Sequence, residues 1–456
     1  MLASLRLFDV LAWYCVCRLR RFNGKRVYGE KPALLALCPE RFRGDLEALD
    51  AEGTYRIISC PTSLVYLLNA LYLQNSEDLH GNYHKRDYYS KDTDTQYYKQ
   101  RKKLSWFYKN LLPKLYGRLG VVSSISPNFT MPQFDLLGVD GSEVGYPYIV
   151  IHREGLIISP GLELRDKRWV TKAGKFPGDF LIVHNEIQKR ALLESGYIDP
   201  TQIAALGCIR MDPFVKRVKK SEGQVKIQSK TKRLVLFSFT PGQGLVGMSG
   251  LKDMSNFPEN REDGLWELFF QVHAVVAEIA AENPDLSVVI KAKWLENWYD
   301  VIAESLGRVG LRIDDLTNLT VTDTQDAQEL ILGADVVTSY GSTTLIEAGI
   351  AGKAVVLPIF EEAENPEYAP YVFFCNHLDL FDVARSREQF KEMLEDHLFQ
   401  PQKPTAKTME RRWQIFNDYV SDINGGALSR YIDSIERRIE MHHRDVAQNE
   451  QVKLGS

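Results

Sequence analysis

The stretch from 334 to 358 limits the possible folds of this chain more than any other part of the sequence. It has the pattern of a buried strand over 336–338, a loop of small hydroxyl residues, a helix, and a second buried strand over 354–357. Neither strand alternates apolar with polar residues, which is typical of parallel strands covered on both faces. In the loop, Ser342 can cap the helix and Gly341 lets a ligand approach the backbone. The free N–H groups of the first helical turn can bind a phosphate or a carboxylate.

The same alternation of strands and helices runs through two halves of the chain. In the first half, strands are predicted over 32–38, 55–60, 120–125, 148–152, 179–184 and 202–207, with helices over 40–52 and 186–196. In the second half, strands are predicted over 234–240, 286–291 and 319–321, with helices over 267–281, 327–333, 386–397 and 409–440. Each half is therefore predicted to be a doubly wound α/β domain. Ligands bind beyond the carboxyl ends of such strands, so the loops after Thr240, Lys291 and Thr338 are expected to meet at a site.

The length of 456 residues predicts more than one domain. The predicted parts are an amphipathic and basic segment over 1–30, a first domain over 31–215 with an insertion over 80–110, a Lys-rich linker over 216–232, a second domain over 233–405, and helices over 406–450. The C-terminal helices are expected to cross back to the first domain.

The composition narrows the functional class. Hydrophobic residues make up 44% and charged residues 25%, as in globular proteins, and the net charge of −4 gives no global reason to bind nucleic acid. Six scattered cysteines have no zinc-type or paired spacing, which predicts reduced thiols and a cytoplasmic protein. No apolar run reaches the roughly 18 to 20 residues that span a bilayer. Trp13 and Tyr14, followed by basic residues, suit either an interfacial helix or a helix packed on the core.

Five segments together carry a resemblance to a known family. They are 179–185 (DFLIVHN), 205–212 (ALGCIRMD), 321–335 (VTDTQDAQELILGAD), 339–344 (SYGSTT) and 422–430 (DINGGALSR). In this order they resemble the GT-B glycosyltransferases of bacterial surface carbohydrates, a group that includes capsular Kdo and sialic acid transferases and CDP-glycerol polymer transferases. The resemblance covers residues 30 to 440 and implies two Rossmann-like domains facing a cleft.

In that family the second domain binds the nucleotide-sugar donor, and the resemblance implies no other cofactor and no metal. It assigns donor nucleotide and phosphate binding to Thr240, Gly242, Lys291, Lys293, Ser339, Ser342, Thr343, Thr344 and Glu347. The two lysines stand where sialyl- and Kdo-type transferases have a His-Pro pair. A lysine can neutralise a leaving phosphate as a histidine does.

The resemblance assigns catalysis to the first domain. The segment from His152 to Gly155 follows a predicted strand and is similar to the acidic-residue-Gly motif that supplies the family's general base. Glu154 would take the proton of the acceptor hydroxyl, and His152 would help to position the acceptor. The alternative is a structural ion pair of Glu154 with Arg153 or Arg165.

The predicted function is metal-independent transfer of a sugar from a CMP-, CDP- or UDP-linked donor to a cell-surface glycan or glycolipid. A CMP-linked ulosonic acid of the Kdo or sialic type is the favoured donor. The alternatives are a non-hydrolysing UDP-HexNAc 2-epimerase-like isomerase, a CDP-polyol phosphotransferase, and a catalytically silent binding subunit. The expected location is the cytoplasm, with peripheral contact with the inner face of the membrane as an open alternative.

Overall fold

The computed structural model describes residues 7–24, 27–73, 96–129, 132–153, 157–222, 231–242, 264–293 and 295–455. The chain divides into two compact units. Unit 1 comprises Met1–Leu156, Asp166–Pro213 and Val420–Ser456, and unit 2 comprises Ile157–Arg165 and Phe214–Tyr419. The predicted linker over 216–232 begins within a helix, Asp212–Glu222.

Unit 1 is built on a seven-stranded sheet of the described residues. Its strands are β1 (Arg20–Arg21), β2 (Ala33–Leu37), β3 (Arg56–Cys60), β4 (Val121–Ser126), β5 (Tyr148–Ile151), β6 (Phe180–Val183) and β7 (Ile203–Ala205). They are ordered β1-β3-β2-β4-β5-β6-β7, and all are parallel except the short edge strand β1. Without β1, this is the doubly wound order of flavodoxin-like folds, whose topological switch point lies between β2 and β4.

Helices cover both faces of this sheet. They are α1 (Phe8–Arg18), α2 (Arg43–Glu52), α3 (Thr62–Asn69), α4 (Gln96–Leu119), α5 (Pro132–Ser142), the part of α6 (Pro160–Ala173) from Asp166 onward, α7 (Glu186–Glu194) and, much later in the chain, α15 (Ala427–Gly455). The helix α8 (Asp212–Glu222) begins in unit 1 but belongs to unit 2 from Phe214 onward. Leu35 and Val150 face a core with α1, α3, α4 and α5, whereas Leu34 and Ile149 face a core with α2 and α15. Successive strand residues thus enter opposite cores, which explains the continuous apolar runs.

Part of the predicted insertion over 80–110 belongs to the first of these cores. Residues 96–110 lie in α4, where Phe107 and Tyr108 are fully buried and Tyr97 is nearly so. Phe107 contacts Phe8 of α1, with the ring centroids 6.1 Å apart. Tyr97, Phe107 and Tyr108 therefore pack inside unit 1, whereas Trp106 is exposed. Residues 80–95 lie outside the described part of the chain.

The C-terminal helix packs on unit 1, as predicted. Its N-terminus is capped by Asp212, whose carboxylate accepts hydrogen bonds from the backbone N–H groups of Ala427 (3.3 Å) and Leu428 (2.8 Å). The Tyr431 hydroxyl donates to the Gly207 carbonyl at 2.8 Å. Gly207 has a φ of +88°, and a Cβ there would lie 2.9 Å from Ser421 Oγ. The segments 205–212 and 422–430, which carried part of the family resemblance, thus contact each other.

The single helix predicted over 409–440 is wrong. The chain instead forms α14 (Ala406–Tyr419) in unit 2 and α15 in unit 1, separated by a turn. Gly425 in this turn has a φ of +65°, in the left-handed region that favours glycine. The Asp422 carboxylate accepts from the Asn424 N–H at 2.8 Å, which stabilises the turn against a continuous helix.

An ion pair between α15 and the sheet makes the stability of unit 1 depend on pH. His442 Nδ1 lies 3.3 Å from Asp179 Oδ1, and its Nε2 lies 3.2 Å from the Ser142 carbonyl oxygen. The hydrogen bond to Asp179 raises the pKa of His442 above its ordinary value of 6.5. Burial raises the pKa of Asp179, but the hydrogen bonds from His442 and from the Tyr148 N–H outweigh it and lower that pKa below 3.8.

We expect the His442→Gln variant to lose about 1–2 kcal/mol of unfolding free energy in mildly acidic solution. Because the folded-state pKa of His442 is raised, its stabilisation is complete below 6.5 and is lost as the pH rises through the folded-state pKa. Denaturant unfolding from about pH 5 to about pH 9 should therefore show a difference in unfolding free energy between the variant and the parent that shrinks with increasing pH. His443→Gln, at the exposed neighbouring position, is the matched control. A loss that does not vary with pH would contradict the ion pair.

Unit 2 has a six-stranded parallel sheet in the described residues. Its strands are β8 (Arg233–Phe237), β9 (Ser287–Lys291), β10 (Leu319–Thr322), β11 (Val336–Ser339), β12 (Ala354–Pro358) and β13 (Asp382–Ala384). The order β10-β9-β8-β11-β12-β13 is the Rossmann order, with its switch point between β8 and β11. The structure thus confirms the predicted α/β class with two doubly wound units.

The helices of unit 2 after α8 are α9 (Trp266–Glu282), α10 (Leu295–Gly307), α11 (Ala327–Gly333), α12 (Thr344–Ile350), α13 (Arg387–Phe399) and α14. Arg412 of α14 is buried, and its guanidinium donates to the carbonyl oxygens of Leu380, Gly349 and Lys353. This side chain therefore joins α14 to the end of α12 and to the loops before β12 and β13. None of the helices in the described residues is long and apolar enough to cross a membrane.

Candidate functional site

A cleft lies at the carboxyl edge of the unit 2 sheet, with a volume of about 320 Å³. It is lined by Phe237, Ser238, Lys291, Ala292, Lys293, Tyr340, Gly341, Ser342, Thr343 and Phe373. Most of these residues follow β8, β9 and β11 directly. The cleft therefore occupies the switch point of the sheet, where open α/β sheets bind their ligands. Of the three loops predicted to meet, those after Lys291 and Thr338 line this cleft. The β8 side contributes Phe237 and Ser238, and the loop after Thr240 lies outside the described residues from position 243 to 263.

Two lysines give one wall of the cleft its charge. Lys291 Nζ donates to the Asp323 carbonyl oxygen at 2.8 Å, and burial lowers the pKa of this lysine. Lys293, two residues further along the chain, is exposed. An ammonium group that keeps one hydrogen bond to the protein retains further donors for an anionic ligand.

The loop after β11 forms another wall. Gly341 has a φ of +67°, as expected for a glycine at a tight turn near a ligand. Ser342 Oγ lies 2.8 Å from Thr344 Oγ1 and accepts from the Thr344 N–H at 3.2 Å. The Thr343 hydroxyl donates to Glu347 Oε1 at 3.0 Å, and Glu347 is buried. These bonds fix the hydroxyl loop, and Glu347 contacts Thr343 of the cleft wall without being part of that wall.

The structure brings four of the nine predicted donor-binding residues to the wall of the cleft: Lys291, Lys293, Ser342 and Thr343. The other five, Thr240, Gly242, Ser339, Thr344 and Glu347, are not part of that wall. Ser339 is fully buried, and its hydroxyl donates to the Phe237 carbonyl at 2.7 Å across the sheet. Its position thus favours a role in joining β11 to β8.

The sequence-based prediction does not include Ser238 and its partner His273. Ser238 Oγ lies 2.9 Å from His273 Nε2, and His273 Nδ1 lies 2.7 Å from the Phe269 carbonyl oxygen. His273 is fully buried in α9, and burial lowers its pKa to about 4. In the sequence this histidine stands inside an apolar helix, 35 residues from Ser238. Only the packing of α9 beneath β8 brings the two together.

In unit 1, His152 directly follows β5 and is buried. Its backbone N–H donates to the Ile182 carbonyl at 2.8 Å, and its ring centroid lies 4.3 Å from that of Phe129. Glu154 lies outside the described residues, so its role as base and the alternative ion pair both stay predictions. Burial and the positive charge of Arg210 lower the pKa of the nearby His184 well below 6.5.

Within the described ranges, no group of three or more His, Cys, Asp or Glu side chains is placed to hold a metal ion. The wall of the cleft carries the cationic side chains of Lys291 and Lys293. The six cysteines form no disulfide. Burial raises the pKa of the Cys15 and Cys38 thiols to about 11.

No family model matches the chain, and no curated protein matches it. Among solved structures, it is similar to the UDP-GlcNAc 2-epimerase from Neisseria meningitidis bound to UDP-GlcNAc, with 14% identity, a TM-score of 0.45, and coverage of 89% of this chain and 100% of that one. It is also similar to the α,α-trehalose 6-phosphate synthase from Burkholderia multivorans, with 11% identity, a TM-score of 0.46, and coverage of 93% of this chain and 99% of that one. For the wall teichoic acid polymerase TagF the identity is 12%, the TM-score is 0.44, and the likeness covers 88% of this chain and 98% of that one. These likenesses are too distant to assign an activity.

Proposed function

We propose that this chain is a nucleotide-sugar-dependent glycosyltransferase whose donor binds in the cleft of unit 2. The observation that carries the proposal is the position of that cleft at the switch point of a Rossmann-order sheet, with Lys291 and Lys293 on its wall. Such switch points bind nucleotides in doubly wound proteins, and the amino groups suit the phosphates. Ser342 and Thr343 add polar groups on the opposite loop.

The proposed chemistry is direct transfer. An acceptor hydroxyl attacks the anomeric carbon of the donor sugar and gives its proton to Glu154, while the bond from that carbon to the nucleotide phosphate breaks. Negative charge grows on the departing phosphate, where the Lys291 ammonium stabilises it more in the transition state than in the ground state. A CMP-linked ulosonic acid is the proposed donor, and a cell-surface glycan or glycolipid is the proposed acceptor.

Thermal unfolding with a panel of nucleotides tests this proposal, because a ligand that binds only the folded state raises the melting temperature. The panel contains CMP, CDP, UDP, UDP-GlcNAc, GDP and ADP. Stabilisation by cytidine nucleotides supports a Kdo-type, sialic-type or polyol-phosphate transferase. A response confined to uridine nucleotides favours a UDP-sugar transferase or a 2-epimerase. The absence of any response contradicts the proposal and favours a silent binding subunit.

The lysine wall has a direct test. We expect Lys291→Met to weaken binding of the stabilising nucleotide about tenfold, because one charged hydrogen bond to phosphate contributes roughly 1.5–3 kcal/mol before solvent screening. Calorimetric titration at two salt concentrations measures the loss, which should shrink at high salt. Lys232→Met, at the amino edge of the same sheet, is the matched control and should bind normally. Equal affinities of the two variants would place the phosphates elsewhere.

We also propose that unit 1 contacts an anionic membrane surface through α1. The outer side of this helix exposes Trp13 (60%), Val10 (47%) and Leu7 (44%), while Arg18 and Arg20 beside it are exposed. An exposed Trp among basic residues fits the headgroup region of a bilayer. This contact would bring the enzyme to a lipid-linked acceptor at the inner face of the membrane.

We expect Trp13→Ser to reduce co-sedimentation with vesicles containing about 30% phosphatidylserine several-fold, through the loss of buried apolar area. The matched control is Phe399→Ser, which removes a similarly exposed aromatic side chain (53%) from unit 2. Binding that is unchanged in Trp13→Ser, or lost equally in both variants, would contradict the assignment of α1.

A further inference from the structure

We propose that Ser238 presents an acceptor-only oxygen to the cleft and so selects ligands that place an O–H or N–H group against it. The inference rests on the proposed function, in which the cleft binds a nucleotide sugar. It divides the cleft between a lysine wall that takes phosphate and a serine that takes a hydroxyl or amino group of the same ligand. Ser238 then acts as a specificity-determining residue, and His273 acts as its positioning residue.

The position of the ring proton of His273 is set by Phe269. Its Nδ1 lies 2.7 Å from the Phe269 carbonyl oxygen, which can only accept a hydrogen bond. If Nδ1 carried no proton, two acceptors would face each other at that distance inside a buried site. The neutral ring therefore carries its proton on Nδ1, and Nε2 is left with a lone pair.

The surroundings of His273 keep the ring neutral. It is fully buried, its centroid lies 4.0 Å from that of Phe269, and that of Phe239 is 6.1 Å away. A cation would be costly at this buried position, because burial lowers the pKa of His273 to about 4. At neutral pH the Nε2 atom is thus an acceptor.

The hydroxyl proton of Ser238 is therefore used in a hydrogen bond to His273 Nε2. Its Oγ lies 2.9 Å from His273 Nε2, whereas the Phe239 carbonyl oxygen, the other acceptor in reach, is 3.4 Å away. Oγ therefore donates into the interior and offers only lone pairs to the cleft. The backbone N–H of Ser238 donates to the Lys291 carbonyl at 2.9 Å, which fixes the serine beside the lysine wall.

This arrangement discriminates between ligand groups that donate a hydrogen bond and ligand groups that only accept one. A phosphate oxygen at Ser238 would bring its lone pairs against those of Oγ, and the contact would be unfavourable. A ribose or sugar hydroxyl, or the amino group of a base, would donate to Oγ. Because a polar site rejects a partner that leaves its groups unpaired, Ser238 favours the nucleotide-sugar part of the ligand over its phosphates.

The experiment compares inorganic pyrophosphate, which has no carbon-bound donor groups, with CDP, UDP and UDP-GlcNAc by calorimetric titration of the parent and Ser238→Ala. We expect Ser238→Ala to weaken at least one of the three nucleotides about five- to tenfold and to leave pyrophosphate unchanged. In the His273→Phe background, where the hydroxyl can turn, the same substitution should have a smaller effect. Melting temperatures of all variants establish that each is folded.

Nitrogen NMR of the His273 ring supplies a readout that does not depend on any ligand. We expect the Nδ1–H tautomer at neutral pH. An Nε2–H tautomer or an imidazolium, or equal loss of pyrophosphate and nucleotide binding in Ser238→Ala, would overturn this inference and leave the proposed function standing. Unchanged binding of all three nucleotides in Ser238→Ala would also overturn it. A parent protein that binds pyrophosphate but no nucleotide would instead overturn the proposed function, and the inference with it.

Discussion

Replacement of Glu154 by Gln is expected to lower the rate of sugar transfer about 100- to 10,000-fold, the usual contribution of a positioned general base. Glutamine keeps the size and polarity of the side chain but cannot take the proton of the acceptor hydroxyl. In the sequence Glu154 comes two positions after His152, the residue that directly follows β5. Nucleotide binding, which the proposal places in unit 2, should be unchanged in this variant.

Two measurements separate this role from a structural one. The melting temperature of Glu154→Gln should match that of the parent, and the nucleotides of the panel should raise it by the same amounts. The initial rate of sugar transfer should fall. Glu440→Gln, which neutralises an exposed carboxylate on α15, is the matched control and should retain full activity. A Glu154→Gln protein with full activity would remove the base assignment, and one with a lowered melting temperature would favour the ion pair with Arg153 or Arg165.

Replacement of Arg412 by Met is expected to destabilise unit 2 by about 3–6 kcal/mol, because three buried carbonyl oxygens lose a charged donor at once. The guanidinium reaches Leu380 at 2.9 Å, Lys353 at 3.0 Å and Gly349 at 3.3 Å. Methionine fills much of the same volume but donates no hydrogen bond. Urea unfolding, followed by the fluorescence of tryptophans in unit 2 such as Trp266 and Trp298, measures the loss.

The neighbouring Arg411 provides the control. Its guanidinium hydrogen-bonds to the side chains of Gln414 (2.9 Å) and His377 (3.4 Å). Arg411→Met should therefore cost at most about 0.5 kcal/mol. Similar losses in the two variants would show that charge on α14, rather than the satisfaction of buried carbonyls, stabilises this region. Arg412→Lys should be intermediate, because one ammonium cannot reproduce the planar guanidinium fork.

The sequence predicts most of this fold because its strands are buried on both faces. The helix predicted over 327–333 is Ala327–Gly333 in the structure, and the strands predicted over 286–291 and 354–357 are Ser287–Lys291 and Ala354–Pro358. The local sequence pattern is sufficient to predict strands whose residues are buried along their whole length. It fails at 420–426, where helix-forming residues flank a turn that Gly425 and Asp422 determine, and at β1, whose two arginines have no strand pattern.

The candidate site is less predictable. Lys291 ends β9 and Gly341 comes two residues after the end of β11. Strand ends can be recognised in a sequence, so the cleft could be predicted from these residues. The contact of Ser238 with His273 could not, because it depends on which side of α9 faces β8 and on the rotamers of both side chains. Likewise, the sequence places Glu347 one turn inside a helix but does not show that its carboxylate receives the Thr343 hydroxyl.

The return of α15 to unit 1 has a consequence for folding during synthesis. The hydrogen bonds between Cys208 and Ser421 join residues 213 positions apart, and Tyr431 and Ile435 complete one of the two cores of the first sheet. Nearly all of unit 2 is translated between those positions. The ribosome therefore starts with unit 1, but the last residue of unit 2 is synthesised before the last segment of unit 1. Until residues 420–455 emerge, one apolar face of the first sheet has α2 but not α15 against it, and this interval is when a nascent chain would most need a chaperone.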